Sequence, residues 1–250
     1  MTENQAFSNK VKPNQARVAD GSKFVGAVFL YTFIALAITA VVCGLCSFLL
    51  HKAVFSSTAS DEALNTFIII LLVSLVLYIP VLIWSRIAIA RNGKTMGAAY
   101  MFYSIIMGVL LSTFTAFIDF YTVAVSFGLT CLAFGGMSLI AWCSKRNLSN
   151  LALIGSGLLM GAMIIWLFYW IFSLITLSAF ADMYINMIIS YAVFAAIILI
   201  TIVDLNNVKR IAMNGGAENN VALMCALNLY VDFIYIFIRI IAIVARFRRN

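Results

Sequence analysis

Long apolar runs, separated by short polar connections, make up almost the whole chain. A helix needs about 20 apolar residues to cross the roughly 30 Å hydrocarbon core of a bilayer. Seven runs reach that length, and each is continuous rather than alternating, which is typical of helices and excludes membrane-spanning strands. The predicted spans are 24–50, 66–90, 97–118, 121–143, 151–176, 183–204 and 221–245. We therefore predict an all-α polytopic membrane protein with a seven-helix transmembrane bundle.

Composition supports this class, because hydrophobic residues make up 64% of the chain and charged residues only 10%. Ordinary soluble domains contain about 25% charged residues. We expect a disordered cytoplasmic tail over 1–23, the transmembrane domain over 24–245 and a basic tail over 246–250. The N-terminal tail has no apolar core of the kind that a signal peptide needs. Together with the short loops, this favours a bacterial plasma membrane.

Charges in the connections predict the orientation of the bundle, because cytoplasmic loops carry an excess of Lys and Arg. Basic residues dominate the N-terminal tail and every second connection, whereas acidic residues dominate the others. The N-terminus is therefore predicted to be cytoplasmic. The C-terminal residues Arg246, Arg248 and Arg249 conflict with this bias if the last segment crosses completely. Either the overall bias prevails, or the last segment enters the membrane without crossing it.

Small residues in the spans fit packing better than chemistry. The pair Cys43-Gly-Leu-Cys46 has the spacing of a redox or metal site, but it lies in an apolar run. The chain has one His, and we expect these cysteines to act as small hydrophobic residues. Gly157 and Gly161 form a small-xxx-small pattern that is typical of helix packing. We expect no cofactor.

Three ionisable residues stand within or at the end of spans in the last third of the chain: Asp204, Asp232 and Arg239. A charge near the bilayer centre costs about 2.5–3.5 kcal/mol on insertion scales, so it normally faces a partner or a water-filled cavity. Asp232 lies well inside the last span. Its carboxyl group must be paired, protonated or hydrated.

A polar stripe runs along one side of the last span, because Asn228, Asp232, Tyr235 and Arg239 recur at helical spacing. Such a helix belongs at the centre of the bundle, where the stripe lines a polar space or forms an internal salt bridge. Asp204 ends the sixth predicted span, and Asp232 lies roughly 16 Å along the seventh. Spacing alone does not bring the two carboxyl groups together.

Two stretches carry a recognisable pattern. They are Ile202-Val-Asp204-Leu-Asn-Asn-Val-Lys209 and Ala226-Leu-Asn-Leu-Tyr-Val-Asp232-Phe-Ile-Tyr-Ile-Phe. Together they closely resemble the closing signature of the Bax inhibitor-1 family, also called the transmembrane Bax inhibitor motif family. The third span, with Gly97-Ala-Ala-Tyr100 and Gly108-Val-Leu-Leu-Ser112, is similar to that family's aromatic and Gly-Leu-Ser pattern.

The resemblance implies a bundle with the last helix at the centre and a pH-sensitive Ca²⁺ leak across the membrane. It also implies that Asp204 and Asp232 form a proton-sensing carboxylate pair whose oxygens contact Ca²⁺. An Arg of the second helix would latch onto the pair. Arg91 is the first candidate for this latch, and Arg86 is the second.

Other functions stay open at this stage. A membrane scaffold or regulator that conducts nothing fits the many apolar faces, although no residue points to a particular partner protein. An intramembrane aspartyl protease also uses two Asp in neighbouring helices, but its second catalytic Asp normally follows Gly-x-Gly. Asp232 follows Leu229, Tyr230 and Val231 instead. We therefore expect a protein that is not an enzyme and that binds neither metal cofactor nor nucleic acid.

Overall fold

The computed structural model describes residues 3–55, 61–91, 95–144, 148–176, 179–215 and 218–249. Within these ranges the regular structure consists of seven α-helices, and no strand is present. All seven helices are long and apolar enough to cross a membrane, which confirms the predicted class. They are α1 (Glu3–Phe55), α2 (Asp61–Ala90), α3 (Met96–Thr115), α4 (Phe120–Cys143), α5 (Ser149–Thr176), α6 (Ala179–Met213) and α7 (Asn219–Arg249).

The last helix lies at the centre of the bundle, as the resemblance implied. Of the residues in its span, 61% are buried, against 11% for α5. Helix α7 contacts α1, α2, α3, α4 and α6, whereas α5 packs on the outside against α6. A helix enclosed in this way can carry polar groups that lipid would not tolerate.

Contacts at the helix ends define two faces of the bundle. At one face, Lys209 of α6 donates hydrogen bonds to the carbonyl oxygens of Trp142 and Ser144, which end α4. At the other face, Arg248 of α7 donates to Asp119, in the connection between α3 and α4. We call the face with the end of α6 the N-face and the face with the end of α7 the C-face. Helix α7 therefore crosses the bundle completely.

Two helices extend beyond their predicted ends. Helix α1 begins at Glu3 and so includes most of the segment 1–23 that we expected to be disordered. Helix α6 continues past Asp204 to Met213, whereas the sequence predicted a connection after Asp204. The reason is packing, since Leu205, Val208 and Ala212 recur at helical spacing and are buried against the bundle.

Two glycines allow neighbouring helices to approach each other closely. A side chain at Gly108 of α3 would come within 2.9 Å of the carbonyl oxygen of Thr39 in α1. Gly155 of α5 packs in a similar way against α6, near Ile200. Gly157 and Gly161, by contrast, face open space. The predicted packing role within the chain thus belongs to Gly155 rather than to the Gly157–Gly161 pattern.

Candidate functional site

The polar stripe of α7 lies where this helix meets α2 and α6. The hydroxyl of Tyr235 is 3.1 Å from the hydroxyl of Tyr78 in α2. Arg239 donates a hydrogen bond of 2.6 Å to the hydroxyl of Ser190 in α6. Arg239 therefore bonds to a neighbouring helix rather than to Asp232, and the stripe lines the junction between three helices.

Asp232 is the most enclosed charged residue of the stripe. Its side chain is 8% exposed, and one carboxyl oxygen, Oδ2, has no hydrogen-bond partner. The carboxyl group lies near Thr201 in α6, whose hydroxyl donates to the carbonyl oxygen of Ile197. Buried polar atoms without partners are rare in native structures, so this oxygen calls for a functional explanation.

Thr201 was not predicted from the sequence. It lies three residues before Asp204, so both side chains share one face of α6. That spacing was visible in the sequence, but a Thr in a membrane helix is too common to mark a site.

The long helix α6 brings Asp204 close to the depth of Asp232. Asp204 lies roughly 14 Å from the N-face end of α6, and Asp232 roughly 20 Å from the N-face end of α7. Only residues 214–218 separate the two helices, which pack against each other. As a result the two carboxyl groups interact electrostatically. Spacing based on the predicted helix ends had placed them further apart in depth.

Arg86 of α2 adds a positively charged side chain to the two carboxyl groups. The guanidinium group of Arg86 interacts electrostatically with both Asp204 and Asp232. Arg91 lies just after the end of α2 and is exposed. Arg91 is supported as the latch only by its place in the sequence. Arg86 is also supported by its electrostatic interaction with the two carboxyl groups.

A polar cavity near the N-face reaches the carboxyl group of Asp204. Its volume is about 430 Å³, and we call it the N-face cavity. Its walls are formed by Asp204, Asn207, Arg210, Ile211, Asn214, Cys225 and Asn228. The side-chain oxygen of Asn228, one turn before Asp232, is buried without a hydrogen-bond partner. The cavity therefore brings polar side chains to within one helical turn of Asp232.

Comparison with protein families identifies the chain. A family model described as inhibitor of apoptosis-promoting Bax1 matches residues 21–249. The chain belongs to the Bax inhibitor-1 family. The matched region includes all seven spans, and it confirms the resemblance carried by the segments around Asp204 and Asp232. Among curated proteins, none matches the sequence.

At the C-face, this Bax inhibitor-1 family protein has an exposed ion pair between Asp119 and Arg248. Asp119 caps α4 by accepting hydrogen bonds from the backbone N–H and hydroxyl of Thr122. These bonds, together with Arg248, lower the pKa of the Asp119 carboxyl. The pair ties the end of the central helix to the connection between α3 and α4.

The described residues contain no group of three or more His, Cys, Asp or Glu side chains that could hold a metal ion. Ca²⁺ in proteins takes six to eight oxygen ligands. Two carboxyl groups fall short of that number.

Proposed function

We propose that this protein is a pH-sensitive Ca²⁺ leak whose state is set by Asp204, Asp232 and Arg86. The observation that carries the proposal is the buried carboxyl group of Asp232. It has one oxygen without a partner and interacts electrostatically with a second carboxyl group, that of Asp204, which lines the N-face cavity. With the predicted cytoplasmic N-terminus, this cavity opens to the cytoplasm of a bacterial plasma membrane.

The chemistry of the group supports proton sensing. Two carboxyl groups that interact strongly bind and release protons as a unit. A nearby Arg favours the ionised form, so each proton that binds weakens the attraction between Arg86 and the pair. Such a change alters the balance between closed and open packings of the helices by a few kcal/mol.

The same carboxyl groups are the reason that we propose Ca²⁺ as the ion. Carboxylate oxygens are hard ligands that Ca²⁺ prefers. Enzymatic use of the two Asp has less support, because neither follows the Gly-x-Gly sequence of intramembrane aspartyl proteases. We therefore propose conduction rather than catalysis.

The test is Ca²⁺ flux into proteoliposomes between pH 5 and pH 9. We expect the parent protein to conduct in a pH-dependent way, and Asp232→Asn to lose most of that dependence because the pair no longer titrates. Asp119→Asn is the matched control, since it makes the same replacement at a carboxyl group on the C-face. It is expected to keep the parent pH profile.

Two outcomes would overturn the proposal. The first is no flux at any pH, which would favour the non-conducting scaffold. The second is an Asp232→Asn profile equal to that of the parent. A pair of Arg variants then identifies the latch: Arg86→Gln is expected to shift the pH profile, whereas Arg91→Gln is expected to leave it in place.

A further inference from the structure

A second cavity extends from the C-face toward the middle of the bundle. Its volume is about 640 Å³, and we call it the C-face cavity. Helices α1, α3, α4 and α7 form its walls. Phe233, Ile234 and Phe237 of α7 line its inner part, and His51 and Phe120 lie near the C-face ends of their helices. The cavity thus reaches the central helix from the side opposite to the N-face cavity.

One wall of the C-face cavity is polar. Thr39, Cys43, Ser47 and His51 recur at every fourth position of α1, so they share one face of this helix, and all four line the cavity. Thr115 of α3 joins them: its hydroxyl is 3.2 Å from the Cys43 sulfur and 2.6 Å from the Ser47 hydroxyl. We call Thr39, Cys43, Ser47 and Thr115 the polar ladder.

The inner end of the ladder is closed by a hydrogen bond to the central helix. The hydroxyl of Thr39 is 2.6 Å from the hydroxyl of Tyr230, whose side chain is fully buried. The Tyr230 ring packs edge-on against the rings of Tyr100 and Tyr103 in α3. Tyr230 is thereby fixed at the point where the ladder meets α7.

Along the axis of α7, a short stretch separates the two cavities, and we call this stretch the barrier. Along α7, the N-face cavity reaches Asn228 and the C-face cavity reaches Phe233. These positions are roughly 8 Å apart along the helix axis, compared with about 30 Å for the hydrocarbon core. The barrier contains Leu229, Tyr230 and Asp232, all of them buried. The carboxyl group of the proposed sensor therefore belongs to the barrier itself.

We infer that the C-face cavity is the second half of the ion path and that the hydrogen bond between Thr39 and Tyr230 closes its inner end. The inference rests on the proposed leak function. A hydrated cation entering from the C-face would meet the neutral oxygens of the ladder, which replace water without binding the ion tightly. It would reach the carboxyl groups only after the Thr39–Tyr230 contact opens.

Native cysteines provide a test of access that does not depend on ion flux. Cys43 lines the C-face cavity, and Cys225 lines the N-face cavity. We would make full-length variants that keep one cysteine each and treat sealed vesicles on one side with a charged, membrane-impermeant methanethiosulfonate. Cys43 is expected to react from the C-face only, and Cys225 from the N-face only.

Cys131 supplies the matched control, because its side chain is exposed on the surface of α4 but lines neither cavity. A variant that keeps only Cys131 is expected to react slowly from both sides, since a charged reagent does not enter lipid. Reaction of Cys43 no faster than that of Cys131 would overturn the inference, even if Ca²⁺ flux is normal.

Flux measurements then separate this inference from the proposed function. Modification of Cys43 is expected to reduce Ca²⁺ flux several-fold, because the attached group fills the cavity. Undiminished flux after complete modification would overturn the inference and leave the leak function standing. Absence of flux in the unmodified parent would instead overturn the leak function, and the path with it, whatever the labelling shows.

Two nearly isosteric variants test the closure. Thr39→Val and Tyr230→Phe each remove one hydroxyl of the contact while keeping most of the side-chain volume. Each is expected to raise basal flux about 2- to 10-fold, the equivalent of one net hydrogen bond. Thr130→Val removes a hydroxyl that donates to the carbonyl oxygen of Ser126 within α4 and lines neither cavity, so it serves as the control. Unchanged flux in both Thr39→Val and Tyr230→Phe would exclude this contact as the closure.

Discussion

The buried carboxyl group of Asp232 should make the protein less stable than it would be without it. We consider Asp232→Val, because Val is apolar and has no polar side-chain atom. The carboxyl oxygen Oδ2 has no partner, and an unsatisfied buried polar atom costs about 1–3 kcal/mol. The carboxyl group also lies near that of Asp204, and their repulsion disappears in the variant.

Removing the carboxyl group leaves no new buried group without a partner. Thr201 keeps its hydrogen bond of 2.8 Å to the carbonyl oxygen of Ile197. Arg86 still interacts electrostatically with Asp204, which the variant keeps. We therefore expect Asp232→Val to gain about 1–3 kcal/mol, which raises the melting temperature by about 2–4 °C per kcal/mol for a chain of this length.

The assay is thermal unfolding in detergent, followed by the helical circular dichroism signal. Thr130→Val is the matched control, since it introduces the same residue at a fully buried position where the hydroxyl donates to the carbonyl oxygen of Ser126 at 2.7 Å. It is expected to melt slightly below the parent. If Asp232→Val also melts below the parent, the carboxyl group is stabilising and our account of the site fails.

Two further predictions concern residues outside the candidate site. Gly108→Ala should lower stability by about 1–3 kcal/mol, because its methyl group would be forced against α1, whereas Gly157→Ala, which faces open space, should be neutral in the same melting assay. The pKa of Asp119 is lowered, so the hydrogen bonds from Thr122 and the ion pair with Arg248 stabilise the fold above the ordinary carboxyl value of 3.8, and this stabilisation is lost as pH falls below it. The melting temperatures of the parent and Asp119→Asn should therefore converge in acid; a gap that persists at low pH would contradict this.

The number and type of the helices followed from the sequence, but their ends did not. Apolar length decides whether a segment spans a membrane, and it identified all seven helices. It does not show how far a helix continues past its most apolar stretch, as α6 does after Asp204. Helical spacing of the apolar residues Leu205, Val208 and Ala212 indicates that α6 continues. We did not recognise this spacing because polar residues such as Asn206 lie between them.

The site was only partly predictable for a related reason. Charged residues are conspicuous in a chain that is 10% charged, so Asp204 and Asp232 stood out at once. Hydroxyl groups do not stand out, because Ser and Thr in any membrane helix can bond to a carbonyl of the preceding turn. Thr39 does so, with Ala35, yet it also reaches Tyr230. Only the packing of helices reveals that second contact.

The position of these groups on α7 suggests how the proposed sensor and the proposed closure are coupled. Tyr230 and Asp232 are two residues apart, so their side chains point to nearly opposite sides of the helix at depths about 3 Å apart. Tyr230 meets α1 and α3, whereas Asp232 lies beside Thr201 of α6. A rotation or tilt of α7 that relieves or restores repulsion at Asp232 must therefore move Tyr230 relative to Thr39. Because one rigid helix carries both contacts, a proton bound on one side of α7 can open the barrier on the other without a separate element to transmit the change.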